Sequence, residues 1–216
     1  MSRTGKTRLL LAARIAAGLL AGAAAIAGLF WLAGDPYWVR GWIFVGLMVV
    51  CQSAIGIHLL RVDPELVSRR GRPGEGTKNW DKALLALFGT AYLAIPVVAA
   101  LDAGRLGWSP AMPGWLLWIG ALLYVVSAIF AGWAMSVNTH FEKTVRIQTD
   151  RAHKVIDGGP YRLVRHPGYL ATIVGWLISA PLILESWYAF IPAAIAAFLM
   201  TVRTALEDRL LRGELD

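Results

Sequence analysis

Cysteine is almost missing from this chain. Cys51 is the one thiol in 216 residues, so no internal disulfide can form and no thiolate cluster can hold a metal. The four histidines lack close metal-ligand spacing, and no metal is expected. Charge is scarce as well. Charged residues make up 16% of the chain against 57% apolar, too few to cover a soluble domain of this length and more apolar surface than one core can hide. There is no internal repeat and no low-complexity tail. The composition points to a single all-α transmembrane bundle with the bilayer as solvent.

Long apolar runs are what the chain has instead. A spanning helix needs about 20 mainly apolar residues, and six stretches qualify, near 9–33, 38–60, 82–101, 113–137, 168–184 and 187–206. The alanine-rich run around Ala21 to Ala27 resembles the end of a signal peptide, but apolar character continues through Phe30 and Trp31, so a retained helix is expected. Cys51 falls inside the second span as a small packed side chain. Many of the ten tryptophans, among them Trp31, Trp38, Trp42, Trp108 and Trp187, fall near span ends, where an interfacial aromatic belt would place them.

The 21 basic residues decide the orientation. They gather before the first span (Arg3, Lys6, Arg8), between the second and third (Arg61, Arg69, Arg70, Arg72, Lys78, Lys82), between the fourth and fifth (Lys143, Arg146, Arg151, Lys154, Arg162, Arg165) and at the end (Arg203, Arg209, Arg212). The alternate connections hold only Arg40 and Arg105, and Arg14 can snorkel out of the first helix. Both termini are therefore expected on the cytoplasmic side. The formal charge of +7 is explained by this orientation and by anionic lipid, without a nucleic-acid partner. Two long polar segments on that side, residues 61–81 and 138–166, are where chemistry can be housed. Glu185 is expected to be solvated at the opposite turn, and His58 to be packed or hydrogen-bonded to a neighbouring helix.

The most informative stretch is Gly158-Gly159-Pro160-Tyr161-Arg162-Leu163-Val164-Arg165-His166-Pro167-Gly168-Tyr169. Pro167 excludes His166 from the α region and suits the first helical turn, so a span should start there with His166 at the membrane surface. Such a helix start offers the backbone N–H groups of Gly168, Tyr169 and Leu170 to an anion, with Arg165 beside them. Tyr161 and Tyr169 supply aromatic faces and hydroxyls. Taken singly, each feature has a plain alternative: His166 as a cap, Arg165 as a lipid-phosphate contact. Seven defined residues in a fixed order are harder to explain that way.

The order resembles the signature of the isoprenylcysteine carboxyl methyltransferase and phospholipid methyltransferase superfamily, which reads Gly-Pro-Tyr, three residues, then Arg-His-Pro-x-Tyr. Family members also carry an acidic pair after the last span, where this chain has Glu207-Asp208. Upstream, Asp63-Pro64-Glu65-Leu66, Gly76-Thr77-Lys78-x-Trp80-Asp81 and Gln148-x-Asp150-Arg151-x-His153 extend the similarity, so it covers roughly residues 60–212. The chain departs from the family at Ala171, commonly Gly, at Asp208, commonly Glu, and in ending at Asp216 before a Tyr- and Arg-containing tail.

The resemblance implies one transmembrane domain, a helix pair over 1–60 followed by a methyltransferase-like core over 61–216. It implies S-adenosyl-L-methionine as cofactor, bound under the cytoplasmic segments of a bacterial inner-membrane protein, and a lipophilic or lipid-modified acceptor arriving from the membrane lipids. His153, Tyr161, Arg165, His166, Pro167, Tyr169 and Glu207 would line the cofactor site, Glu207 receiving its amino group while Arg203 orients an acidic acceptor. The plain alternative for Arg203 and Glu207, four residues apart on one helical face, is a surface salt bridge. A carboxylate acceptor would need no base; an amine would need Glu207 or His166 to take its proton. Two other classes remain open. Sterol-type reductases using NADPH share an Arg-His-Pro-containing region, although they typically have Asn where this chain has Gly168. A non-enzymatic membrane protein is disfavoured by nearly charge-free spans.

Overall fold

Within hydrocarbon every backbone polar group must be satisfied inside its own segment, which leaves helices as the structure for six separate apolar runs. A computed structural model describes residues 3–62, 78–138 and 156–215, with side chains from residue 16 to residue 210 of those. All six runs are helices. They are α1 (Arg3–Ala33), α2 (Val39–Val62), α3 (Asn79–Leu106), α4 (Trp115–Val137), α5 (Pro167–Leu184) and α6 (Phe190–Leu215). Each contains a stretch long and apolar enough to cross a membrane. Among the described residues there is no strand. α6 runs on past the expected bound, so Glu207 and Asp208 lie on the same rod as the span.

α3 packs against α6, and α4 packs against α5 and α2, while α1 touches mainly the far end of α3. α2 and α3 do not pack as a pair. Contact is closest where a side chain is missing: a Cβ on Gly120 would lie 2.9 Å from the Cβ of Leu182, and one on Gly175 would lie 2.6 Å from the Cβ of Ser127. These glycines bring α4 and α5 together, as small residues do in membrane bundles.

Two span prolines have structural consequences. Pro96 in α3 has no N–H to give the carbonyl of Tyr92, one turn earlier, and an unsatisfied carbonyl in hydrocarbon is costly. The indole Nε1–H of Trp176 on α5 donates to that carbonyl at 3.3 Å, and the Trp176 ring stacks on Tyr92 with centroids 4.4 Å apart. α5 absorbs Pro181 differently, by winding Ile173–Ile178 as π-helix just before it. Trp176→Phe is expected to lower stability by about 1–3 kcal/mol, the cost of an orphaned buried acceptor. Thermal melting in detergent reads this, and adding Pro96→Ala, which restores the helical donor, should remove most of the loss.

The end of the bundle away from the His166 motif is tied by side chains. Asp102, fully buried, accepts from the backbone N–H of Ser109 at 2.7 Å and from the hydroxyls of Ser186, at 2.6 Å, and Ser109. Glu185 is not solvated as expected. At the left-handed close of α5 (φ +63°), its carboxylate is half-buried, pairing with Arg40 at the start of α2 at 3.0 Å and accepting from the N–H of Met112, in the connection before α4, at 3.2 Å.

Candidate active site

The site begins at the start of α5. Pro167 occupies the first helical position and His166 stands before it at φ −122°, ψ 68°, outside the α region. The N–H groups of Tyr169 and Leu170 both turn back to the His166 carbonyl, at 3.1 Å each. The expected three-donor anion site at this helix start is therefore corrected: two of its donors are already used in closing the first turn.

Three residues along a helix bring side chains to one face. The rings of His166 and Tyr169 accordingly stack, with centroids 5.2 Å apart and planes 2° from parallel. Both reach α6. The Tyr169 hydroxyl donates to Glu207 Oε2 and accepts from Arg203 Nη1 at 2.6 Å. His166 Nε2 meets Asp208 Oδ1 at 2.7 Å, and since a carboxylate can only accept, Nε2 carries the proton.

Arg203 is the centre of this arrangement. Its Nε donates to Asp81 Oδ1 at 2.7 Å and its Nη2 to Asp81 Oδ2 at 3.4 Å, a forked pair that also draws in the first turn of α3. Asp81 is 0% exposed and Arg203 4%. The plain alternative of an exposed surface pair between Arg203 and Glu207 is thus excluded: the guanidinium is buried and turned to Asp81, and the Tyr169 hydroxyl stands between it and Glu207. The burial of α6 against α3, invisible in a helix-face count, is the reason.

The other expected site residues divide. Pro167 is buried under the helix start. Tyr161, in the short 3-10 turn Gly159–Arg162, accepts from Asn138 Nδ2 at 2.8 Å. Burial pushes its phenol above the usual tyrosine value against that hydrogen bond, with the charge of Glu207 adding to the rise, so it stays a protonated hydroxyl at neutral pH. Arg165 is exposed and takes no part in the network. His153, with Asp63-Pro64-Glu65-Leu66 and Gln148, Asp150 and Arg151, lies outside the described residues. His58 is bound to a neighbouring helix as expected. The Ser136 hydroxyl donates to the Gly132 carbonyl at 2.8 Å, leaving it to accept from His58 Nε2 at 2.9 Å.

Sequence reasoning did not find Asp81 as the partner of Arg203, Asp208 as that of His166, or Asn138 as that of Tyr161. An acid opening an otherwise apolar span was the available signal for Asp81, since a charge there needs a partner.

Charge is unevenly shared in this cluster. Among the described residues of this network, Asp81 and Arg203 cancel, which leaves the carboxylates of Glu207 and Asp208 facing Tyr169 and His166. The surplus is negative, suited to a cationic ligand. Beneath it, a cavity of about 560 Å³ runs from Gly168, Tyr169 and Arg203 into the bundle, walled by α2 through α6 and ending around Tyr92, Tyr124 and Trp176. Its side wall is the seam where α2 and α3 fail to pair, with Gln52 and Ile55 facing Leu85 and Phe88. Glu207 reaches this cavity through the hydroxyl of Tyr169, which lines it, so a cationic group near Glu207 and a lipophilic molecule in the cavity would be neighbours.

The family model for the isoprenylcysteine carboxyl methyltransferase (ICMT) family matches residues 118–213, a stretch that contains most of α4, the motif, α5 and the acidic pair on α6. No curated protein and no solved structure matches the chain.

Proposed function

We propose that this integral membrane protein transfers a methyl group from S-adenosyl-L-methionine to a lipophilic acceptor drawn from the bilayer, a reading supported by the match of residues 118–213 to the model of the isoprenylcysteine carboxyl methyltransferase family. The observation that carries the reading is the joint closure of the α5 start and α6 over one cavity: Tyr169 bonds Glu207 and Arg203, and His166 bonds Asp208. The basic clusters favour the cytoplasmic face for that end, by the positive-inside rule.

The donor set fits this cofactor. When bound, it supplies an electrophilic methyl on a sulfonium. Glu207 offers the ammonium a carboxylate already oriented by the Tyr169 hydroxyl, and the stacked His166 and Tyr169 rings form a wall beside it. The surplus negative charge of Glu207 and Asp208 favours a cationic group at the rim. Tyr161 holds its proton and is a neutral hydrogen-bonding group there.

Arg203 is a positioning residue in this scheme. Its Nη1 fixes the Tyr169 hydroxyl and its fork fixes α6 against α3, so the cavity mouth keeps one shape. Methyl transfer needs in-line approach more than acid-base help, and a rigid mouth supplies this. A carboxylate acceptor is already anionic and is drawn to a cationic donor in a dry cavity without a base. An amine would have to lose its proton, and Glu207, bonded to the cavity-lining Tyr169, is a carboxylate placed to take it.

Titrating the purified protein with S-adenosyl-L-methionine and with NADPH tests the reading. The expected result is saturable binding of the first alone, and binding of NADPH alone would replace the methyltransferase with a reductase. Radiolabelled methyl transfer into a lipid extract then identifies the acceptor.

A further inference from the structure

Towards the inner end of the cavity its apolar lining is interrupted. Gln52 lies on α2, ten residues from the Val62 end, and is exposed at the seam between α2 and α3. An amide so placed in hydrocarbon is costly unless something bonds it. Across from it on α4, Tyr124 is 4% exposed and its hydroxyl has no hydrogen-bond partner. Gln52 and the Tyr124 hydroxyl come near enough to influence each other without reaching hydrogen-bond geometry. Ser127, one turn along α4, adds a third polar side chain to the same wall, 6% exposed.

Packing does not require this group. Leucine or phenylalanine would fill those positions in a lining that otherwise includes Ile55, Leu85, Phe88, Ala128 and Met200. An unbroken hydrocarbon tail in the cavity would leave the Gln52 amide and the Tyr124 hydroxyl unsatisfied. A molecule bearing a carbonyl or hydroxyl oxygen at that depth would satisfy both. Depth follows from helix rise: Tyr124 is eleven residues from Met135, at the cavity's upper end, or about 16 Å at 1.5 Å per residue.

We propose that the cavity selects an amphiphile whose hydrocarbon carries a hydrogen-bonding oxygen about 16 Å below its reactive head, read by Gln52 and Tyr124. This deepens the methyltransferase reading and rests on it in one respect, that the cavity holds the acceptor. Discrimination of this kind is strong, because a site built to hydrogen-bond an oxygen is left with unpaired polar groups by the analogue that lacks it.

The test is binding of two probes to the full chain in detergent, octadecanoate and an oxo-octadecanoate with its ketone about three-quarters of the way along the chain, at about 16 Å from the carboxylate, without added cofactor. The far ketone is expected to bind about tenfold more tightly, the equivalent of one net hydrogen bond. Gln52→Leu and Tyr124→Phe should each pull that ratio toward one, and an isomer with the ketone beside the carboxylate should show no advantage. Equal affinities for the two probes, a ratio indifferent to both substitutions, or no binding of either acid overturns the proposal. Because the readout needs neither cofactor nor turnover, absence of S-adenosyl-L-methionine binding would sink the enzyme reading separately.

Discussion

Replacing Asp81 with Ala while Arg203 remains is expected to destabilise the protein by about 3–5 kcal/mol, the largest loss for any single change in the cluster. The pair is forked, with Asp81 0% exposed and Arg203 4%, so the substitution strands a guanidinium where water does not reach. Melting in detergent, or loss of a monodisperse peak on gel filtration, measures it. Removing both charges together, as Asp81→Leu with Arg203→Met, should recover most of the stability, since an apolar pair of similar volume has no desolvated charge to carry. Methyl transfer should not return with it, because Tyr169 would have lost the Arg203 Nη1 that holds its hydroxyl. A single variant that melts like the parent would show that the fork does not hold α6 to α3.

Glu207→Gln should separate binding from folding. The new amide oxygen can still accept from Tyr169, so melting should stay close to that of the parent. What disappears is the negative charge, and a charge-assisted hydrogen bond contributes about 1.5–3 kcal/mol, or roughly ten- to more than a hundredfold in affinity. S-adenosyl-L-methionine binding measured calorimetrically should weaken by that factor. Unchanged affinity would remove Glu207 from the cofactor site and leave it a structural acceptor for Tyr169. Asp208→Asn makes a useful comparison, because Asp208 is already matched by His166 and the change should cost less in affinity.

The two variants probe different layers of one device. Asp81 and Arg203 sit deep and fix helix positions; Glu207 sits nearer the rim and presents charge. The Tyr169 hydroxyl joins them, accepting from one and donating to the other. The motif tyrosine, expected to supply a ring face and a hydroxyl, is therefore also the link between the α5 start and the acidic end of α6.

The sequence by itself determined the solvent, the class of fold and the approximate place of each helix along the chain. Apolar run length is a local property and hydrocarbon leaves the backbone no other choice, so α2, α4 and α5 fall within a few residues of where run length puts them. The start of α5 was equally legible, because Pro167 acts on its own neighbours. Pairings across the bundle were not. That Arg203 turns to Asp81 instead of water, that Glu185 folds in to Arg40, and that Trp176 bonds the carbonyl freed by Pro96 all depend on which helix faces which. Periodicity tells which residues share a face; only packing decides what that face meets, and a buried polar group takes whatever partner the packing brings within reach.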